Sequence, residues 1–276
     1  MPVNLLLCEG GSGSPDVRII GKLLAGLCQV TPEGGKYGMG SKIMAKRYVQ
    51  GNVVAGILDG DFLKDWENPT GKPRVWQSGN GLHFGWCWER KEIENYLLEP
   101  GIVAKSLGDQ APDKDLYLQA LEAARDRIAD YQAARTALSA NRKRFKNLPS
   151  SFGPERGKEK HPFPDALDER HCREGIHAAV ANHQEDQRIQ ASDVINAYER
   201  FLPECRPQGV RYQHFRYAFA GKDLFLAMDD WFKEHGFQGA WAFREKVLIG
   251  IQRTTEDIST WEPEWDQLRK QIQSGI

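Results

Sequence analysis

Hydrophobic residues in this chain fall first into short runs and later into stripes of helical period. Val3–Cys8, VNLLLC, and Val53–Phe62, VVAGILDGDF, are compact apolar runs that stop at acids and glycine, the signature of buried strands in a parallel sheet. Between them, Ser14-Pro15-Asp16 reads as a helix start, with serine at the cap, proline at the first helical position and an acid in the first turn. That helix continues through Val17, Ile20, Leu23, Leu24 and Leu27. Gln29–Thr31 is a short strand candidate, Ser41–Val49 a second helix, Leu63–Gly81 a polar loop and Leu82–Trp88, LHFGWCW, a fourth strand. From there the period becomes helical. Tyr117, Leu121, Ala124, Ile128, Tyr131 and Leu138 predict one long amphipathic helix over Asp115–Arg144, standing away from the sheet as an arm. Further helices are expected over Ala191–Leu202, from Gly221 through Phe232, over Trp241–Gln252 and over Thr260–Ile272. The aromatic and basic run Val210–Ala220 reads as a returning strand or extended segment.

The resulting expectation is an α/β fold, a mostly parallel sheet flanked by helices, with a long helical insertion and a helical C-terminal part. Residues 1–100 would be the core, 101–205 the insertion, and 206–276 a return segment completing the domain.

Composition narrows the class. A chain of 276 residues with 40% hydrophobic and 27% charged residues has the balance of a soluble globular protein. No apolar run is long enough to span a bilayer, and the N-terminus lacks the basic region of a signal peptide. Five cysteines without a C-x-x-C pair argue against a disulfide framework and for a reducing cytoplasm. The net charge of -1 means that any nucleic-acid surface is local.

Candidate chemistry sits where the predicted strands end, which is where open α/β sheets bind ligands. The first strand ends in Glu9, on the glycine-rich turn Gly10–Ser14. The later one ends in Asp59-Gly60-Asp61. Two carboxylates around a glycine suit either a tight turn or a hard divalent cation. The aromatic strand runs into RKEIENYLL, where Glu89 and Glu92 suit a first helical turn and Glu94 falls between Ile93 and Leu97 on a face expected to be buried. Gly35–Gly40 has P-loop spacing, but Ser41-Lys42 reverses the required order, so a flexible loop is the better reading. Arg142, Lys143, Arg144 and Lys146 close the long helix with no acid between Tyr131 and Pro154. They suit either the helix dipole or contacts to a phosphate backbone. Ser150–His161 reads as a mobile loop, and His171, His177 and His183, six apart, do not align as metal ligands on one helix face. Lys222 opens a helix, against the dipole preference, and needs a partner to explain it.

The ordered set Glu9-Gly10, Asp59-Gly60-Asp61 and EIENYLL resembles a Toprim domain, the fold of topoisomerases, primases and the OLD-type (overcoming lysogenization defect) nucleases. The likeness covers about the first hundred residues and a short segment near Gly221. It implies a metal-dependent nuclease cleaving phosphodiester bonds, with DNA ahead of RNA as substrate. Glu9, Asp59, Asp61 and Glu94 would hold magnesium or manganese, with Glu9 as ligand or general base, and Lys222 would contact the phosphate. It also implies a separate ATPase partner and a role in defence against phage, and it allows a homodimer. The family often carries a second acid four residues after the first. That position is Gly13 here, and Asp16 is the candidate replacement. Primase-like nucleotidyl transfer, tRNA cleavage and a non-catalytic sensing subunit are the competing expectations.

Overall fold

The structure is a computed structural model that describes residues 2–51, 53–62, 65–143, 146–149, 152, 166 and 168–275. Arg144 and, apart from Phe152, the predicted loop Ser150–His161 lie outside the described residues.

Five strands form one sheet: β1 (Leu5–Cys8), β2 (Gln29–Pro32), β3 (Val54–Leu58), β4 (Arg74–Gln77) and β5 (His83–Cys87), in the order β2-β1-β3-β5-β4. All neighbours are parallel except β4, which runs antiparallel to β5 at the edge. β1 is buried on both faces because its side chains alternate. Leu6 and Cys8 join the main core with Ile19 and Ile20 of α1 (Pro15–Leu23). Leu5 and Leu7 join a smaller cluster with Met39 and Ile43 of α2 (Met39–Gln50). Helices therefore cover both faces. The start of α1 follows the local chemistry read from the sequence: Ser14 Oγ accepts from Val17 N at 3.4 Å, and Pro15 opens the helix.

After β5 the chain is helical. Short α3 (Glu94–Leu97) leads into α4 (Pro100–Leu107), and α5 (Lys114–Ala140) is one continuous helix of 27 residues. It is not a free-standing arm, which corrects the sequence expectation. Tyr117, Leu121, Ala124, Ile128, Ala133 and Ala137 are buried in the same core as the sheet, beneath α7 (Ala191–Cys205). The buried stripe drifts away from the predicted seam, leaving Tyr131 and Leu138 exposed. Gln132 turns inward instead, because its amide is satisfied by Ala220 N (2.9 Å) and Asp223 Oδ2 (2.6 Å). α6 (Glu169–Gln187) precedes α7 and has no fully buried residue.

Three further expectations are corrected. The span read as a polar loop contains β4, short and half-exposed at a sheet edge. Val210–Ala220 is not extended but forms α8 (Val210–Gln213) and α9 (Phe215–Ala218). Its inward residues Arg211, Phe215 and Phe219 recur every four, and Arg211 is buried against Glu204 at 2.6 Å. The helix expected from Gly221 through Phe232 breaks at Met228 into α10 (Gly221–Ala227) and α11 (Asp229–Glu234). α12 (Ala240–Arg253) and α13 (Pro263–Ser274) complete the fold, and the main core draws on all three predicted segments.

Candidate metal and phosphate site

β1 and β3 are hydrogen-bonded neighbours, so the residues after their ends meet. Asp59 N donates to Glu9 Oε1 at 3.1 Å. Asp59 Oδ1 is sealed from solvent and has no hydrogen-bond partner among the described residues. The next residue, Gly60, is wedged against the chain leaving β5. A Cβ there would lie 2.4 Å from Arg90 O and 2.7 Å from Trp88 O. Gly60 N donates to Arg90 O and Asp61 N to Lys91 O, each at 3.0 Å, so the acidic loop is held by backbone rather than by its own carboxylates. Glycine is required at Gly60 for this close approach.

Asp61 takes a left-handed backbone (φ 51°), and its carboxylate is ion-paired with Lys36, from the glycine-rich loop before α2. Lys91 Nζ donates to Asp61 O at 3.1 Å.

Glu94, 2% exposed at the start of α3, faces two cations. Its Oε2 is 3.1 Å from Lys222 Nζ and its Oε1 3.3 Å from Arg244 Nη1 of α12. Lys222 also approaches Glu92 Oε1 at 3.5 Å, and its backbone N–H donates to Glu92 Oε2 at 2.9 Å. Glu92 thereby satisfies one of the orphan donors at the start of α10. This docking depends on Gly221, where a Cβ would lie 2.5 Å from Asn95 N. The unfavourable placement of a lysine in a first helical turn is compensated by the two glutamates.

The electrostatics single out one group. Burial, then the neighbouring Asp16, Glu9 and Glu94, push the Asp59 carboxyl well above the usual carboxylate range. Burial and then Glu94 push Asp16 up to about 7. Burial also raises Glu9 and Glu92. Burial pulls the Lys222 ammonium down, but Glu94 and Glu92 outweigh it and leave its pKa raised.

The sequence-predicted residues are thus placed as follows. Glu9, Asp59, Glu94 and Lys222 converge at the carboxyl edge of the sheet. Asp61 flanks them, engaged by Lys36. Arg142 and Lys143 are exposed at the end of α5. Lys143 Nζ donates to the carbonyls of Asp186 (3.0 Å) and Arg188 (2.6 Å), and Lys146 pairs with Asp186 at 3.1 Å. Those two lysines are engaged at the C-terminal end of α6, not of the helix they follow, whose last turn carries no basic residue.

Sequence reasoning underweighted Asp16, which belongs to the acidic group, and missed Lys36 and Arg244. Lys36 lies in the loop with near-P-loop spacing, which was a usable signal. Nothing around Arg244 in its helix marks it.

The all-oxygen donors and the orphaned Asp59 Oδ1 fit a hard divalent cation in kind. Among the described residues, no three His, Cys, Asp or Glu side chains stand in an arrangement that would hold a metal ion as they are.

Comparison with protein-family models, curated proteins and solved structures gives no significant match to this chain. Among the described residues, no helix is long and apolar enough to cross a membrane.

Proposed function

We propose that this chain is a Toprim-like, divalent-metal-dependent nuclease that cleaves phosphodiester bonds, DNA ahead of RNA. The observation that carries the reading is the surplus of half-buried carboxylate around Asp59, with one oxygen sealed and unpartnered, at the sheet edge where α/β folds bind ligands. Asp59, Glu9, Asp16 and Glu94 would hold magnesium or manganese. Such an ion, when bound, supplies Lewis-acid activation of water and stabilisation of charge on the phosphate. Lys222 keeps nearly half of its side chain exposed at the rim, so its ammonium can reach a phosphate oxygen while Glu94 and Glu92 hold it in place. Lys36, a third exposed, can do the same from the opposite side once it leaves Asp61. Among the described residues none of the five cysteines forms a disulfide, which accords with a reducing cytoplasm. The resemblance extends the proposal to a separate ATPase partner and to anti-phage defence.

The test is manganese-dependent cleavage of supercoiled plasmid and of transfer RNA, with and without a candidate ATPase. Wild-type protein should cut, and Asp59→Asn should lower the rate on the order of 10³-fold. Cleavage that survives both chelator and Asp59→Asn would reject the assignment. Binding without cleavage under every condition would favour a sensing subunit.

A further inference from the structure

The first turns of α12 carry two side chains that the core does not use. Trp241 and Arg244, three residues apart, share one face of the helix, and the Arg244 guanidinium carbon lies 4.7 Å from the centroid of the Trp241 ring. The indole is 43% exposed, so the guanidinium covers only part of it. Beside Arg244 on the same face, Glu245 pairs with Arg18 of α1 at 2.8 Å. Along its helix the ring is therefore bordered by charge, not by the contiguous apolar patch that marks a protein interface.

Arg244 is a cation with donors to spare. Among the described residues its one hydrogen bond is the 3.3 Å contact from Nη1 to Glu94 Oε1, and its Nε is sealed from solvent without a partner. Arg47, by contrast, spends its guanidinium on three carbonyls, those of Val54, His83 and Phe84. A guanidinium laid on a ring keeps its N–H edge open, and the oxygens of a phosphate match that edge. Glu94 joins the pair to the acidic basin. Its Oε2 holds Lys222 at 3.1 Å, and Lys222 in turn acts on the carboxyls of Asp59 and Glu9. Lys222 is thus the cation beside those acids, while Arg244 reaches the basin through the other oxygen of Glu94, one step further out.

We propose that Arg244 and Trp241 form a nucleotide subsite beside the scissile phosphate, with Arg244 taking the neighbouring phosphate and Trp241 stacking the base that goes with it. A substrate class follows. An exposed ring takes a base only where that base is unpaired, whereas a duplex keeps its bases stacked on each other. The cut then falls in a single strand or at an unpaired position. The place of the subsite next to the scissile bond rests on the nuclease reading, but its binding of a single strand does not.

The experiment measures anisotropy of a fluorescent oligothymidylate, and of a duplex of the same length, with the full chain in chelator, where no cutting occurs. Trp241→Ala should weaken the single strand about tenfold and the duplex far less. Trp241→Phe, which keeps a stacking face, should recover most of that loss. Arg244→Ala should reduce the salt slope by about 0.7, the share of one phosphate contact on a single strand, and Arg244→Lys should keep it. Melting curves establish that each variant is folded. With manganese, Trp241→Ala should raise the KM for the oligonucleotide more than it lowers kcat, because stacking on a flanking base is shared by ground and transition states. Wild-type affinity in Trp241→Ala, an equal loss for single strand and duplex, or a wild-type chain that does not bind oligothymidylate overturns the subsite. If binding follows the expected pattern but nothing is cut, the subsite stands and the nuclease reading falls. If the chain cuts but Trp241→Ala binds like wild type, the reverse holds.

Discussion

Two clusters of buried charge lie on either side of the chain leaving β5, and they are built on opposite principles. On one side, Arg90 is 2% exposed and sits between the rings of Tyr96 and Tyr217, 4.7 and 4.3 Å from their centroids. It pairs with Glu99 and, at 3.1 Å, with Glu262. Glu264, fully buried, accepts from Tyr96 Oη at 2.5 Å and from Glu89 N at 2.7 Å. Every acid in this knot has a donor, and it ties the β5 exit to α4 and to the start of α13. On the other side gather Glu9, Asp16, Asp59, Asp61, Glu92 and Glu94; among the described residues their ion pairs are with Lys36, Lys222 and Arg244, and Arg135 and Lys91 add positive charge near Glu92 and Asp61. A compensated buried cluster needs nothing further. An uncompensated one holds its carboxylates at a free-energy cost that a bound cation would offset. The first arrangement is architecture, and the second is where the proposed cation would bind.

The sharpest way to break this contrast is to unbalance the knot. Arg90→Leu leaves Glu99 and Glu262 without their shared cation, and it should destabilise the fold by about 3–5 kcal/mol. At about 2–4 °C per kcal/mol for a chain of this size class, the melting temperature should fall on the order of 10 °C. Because the Arg90 carbonyl, not its side chain, holds Gly60, the folded fraction should keep its cleavage rate. A variant that melts like wild type would show that the knot carries no more weight than a surface pair.

Lys222→Ala makes the complementary test, with a large effect on chemistry and a small one on folding. It removes an ammonium whose side chain is 46% exposed, so stability should change by less than about 1 kcal/mol. Cleavage should fall by roughly 10²–10³, as for loss of one charge-stabilising donor. Lys222→Arg should recover part of the rate. A wild-type rate in Lys222→Ala would leave the lysine a merely structural partner of Glu92 and Glu94.

The two clusters were not equally legible in the sequence. Glu9, Asp59 and Asp61 announced themselves because each follows a short apolar run, and strand ends gather in a parallel sheet whatever lies between them. Lys222 was legible through a local conflict, a cation where the helix dipole opposes one. The knot left no such trace. Glu262 and Glu264 reach Arg90, Tyr96 and Glu89 across more than 160 residues, and only tertiary packing brings them together. Asp16 was underweighted because helix capping already accounted for it. β4 was missed because an edge strand with one wet face carries too few apolar positions to stand out from a loop. Val210–Ala220 misled for a different reason: alternation and a four-residue period coincide in a segment where nearly every second residue is aromatic.

The smallest effect concerns pH, and it separates the clusters without altering the fold. Glu9, Asp16 and Asp59 have carboxyls raised by burial, Asp16 to about 7. A native state that holds protons the unfolded chain has released loses stability as pH rises. The basin's contribution is thus complete below about pH 4, where an unfolded carboxyl is protonated, and it fades toward pH 7. Glu264, also raised to about 7 by burial, acts in the same direction from within the knot. Lys91, which burial lowers to about 7, works in the opposite direction at the top of this range, since the native state sheds its proton there while the unfolded chain keeps it. Surface acids with lowered pKa, such as Asp257 and Glu245, work the other way at the acidic end. The informative quantity is therefore a difference between variants. In metal-free protein, the change in melting temperature between pH 5 and pH 7.5 should be more negative for wild type than for Asp59→Asn by a few °C, since the amide removes one raised group and relieves Asp16 and Glu9. Glu264→Gln should shift the same difference, but magnesium should leave its contribution untouched. Magnesium should raise the wild-type melting temperature more at pH 7.5 than at pH 5, and should do little for Asp59→Asn. Equal pH slopes in wild type and Asp59→Asn, or equal magnesium stabilisation in both, would place the surplus charge elsewhere than around Asp59.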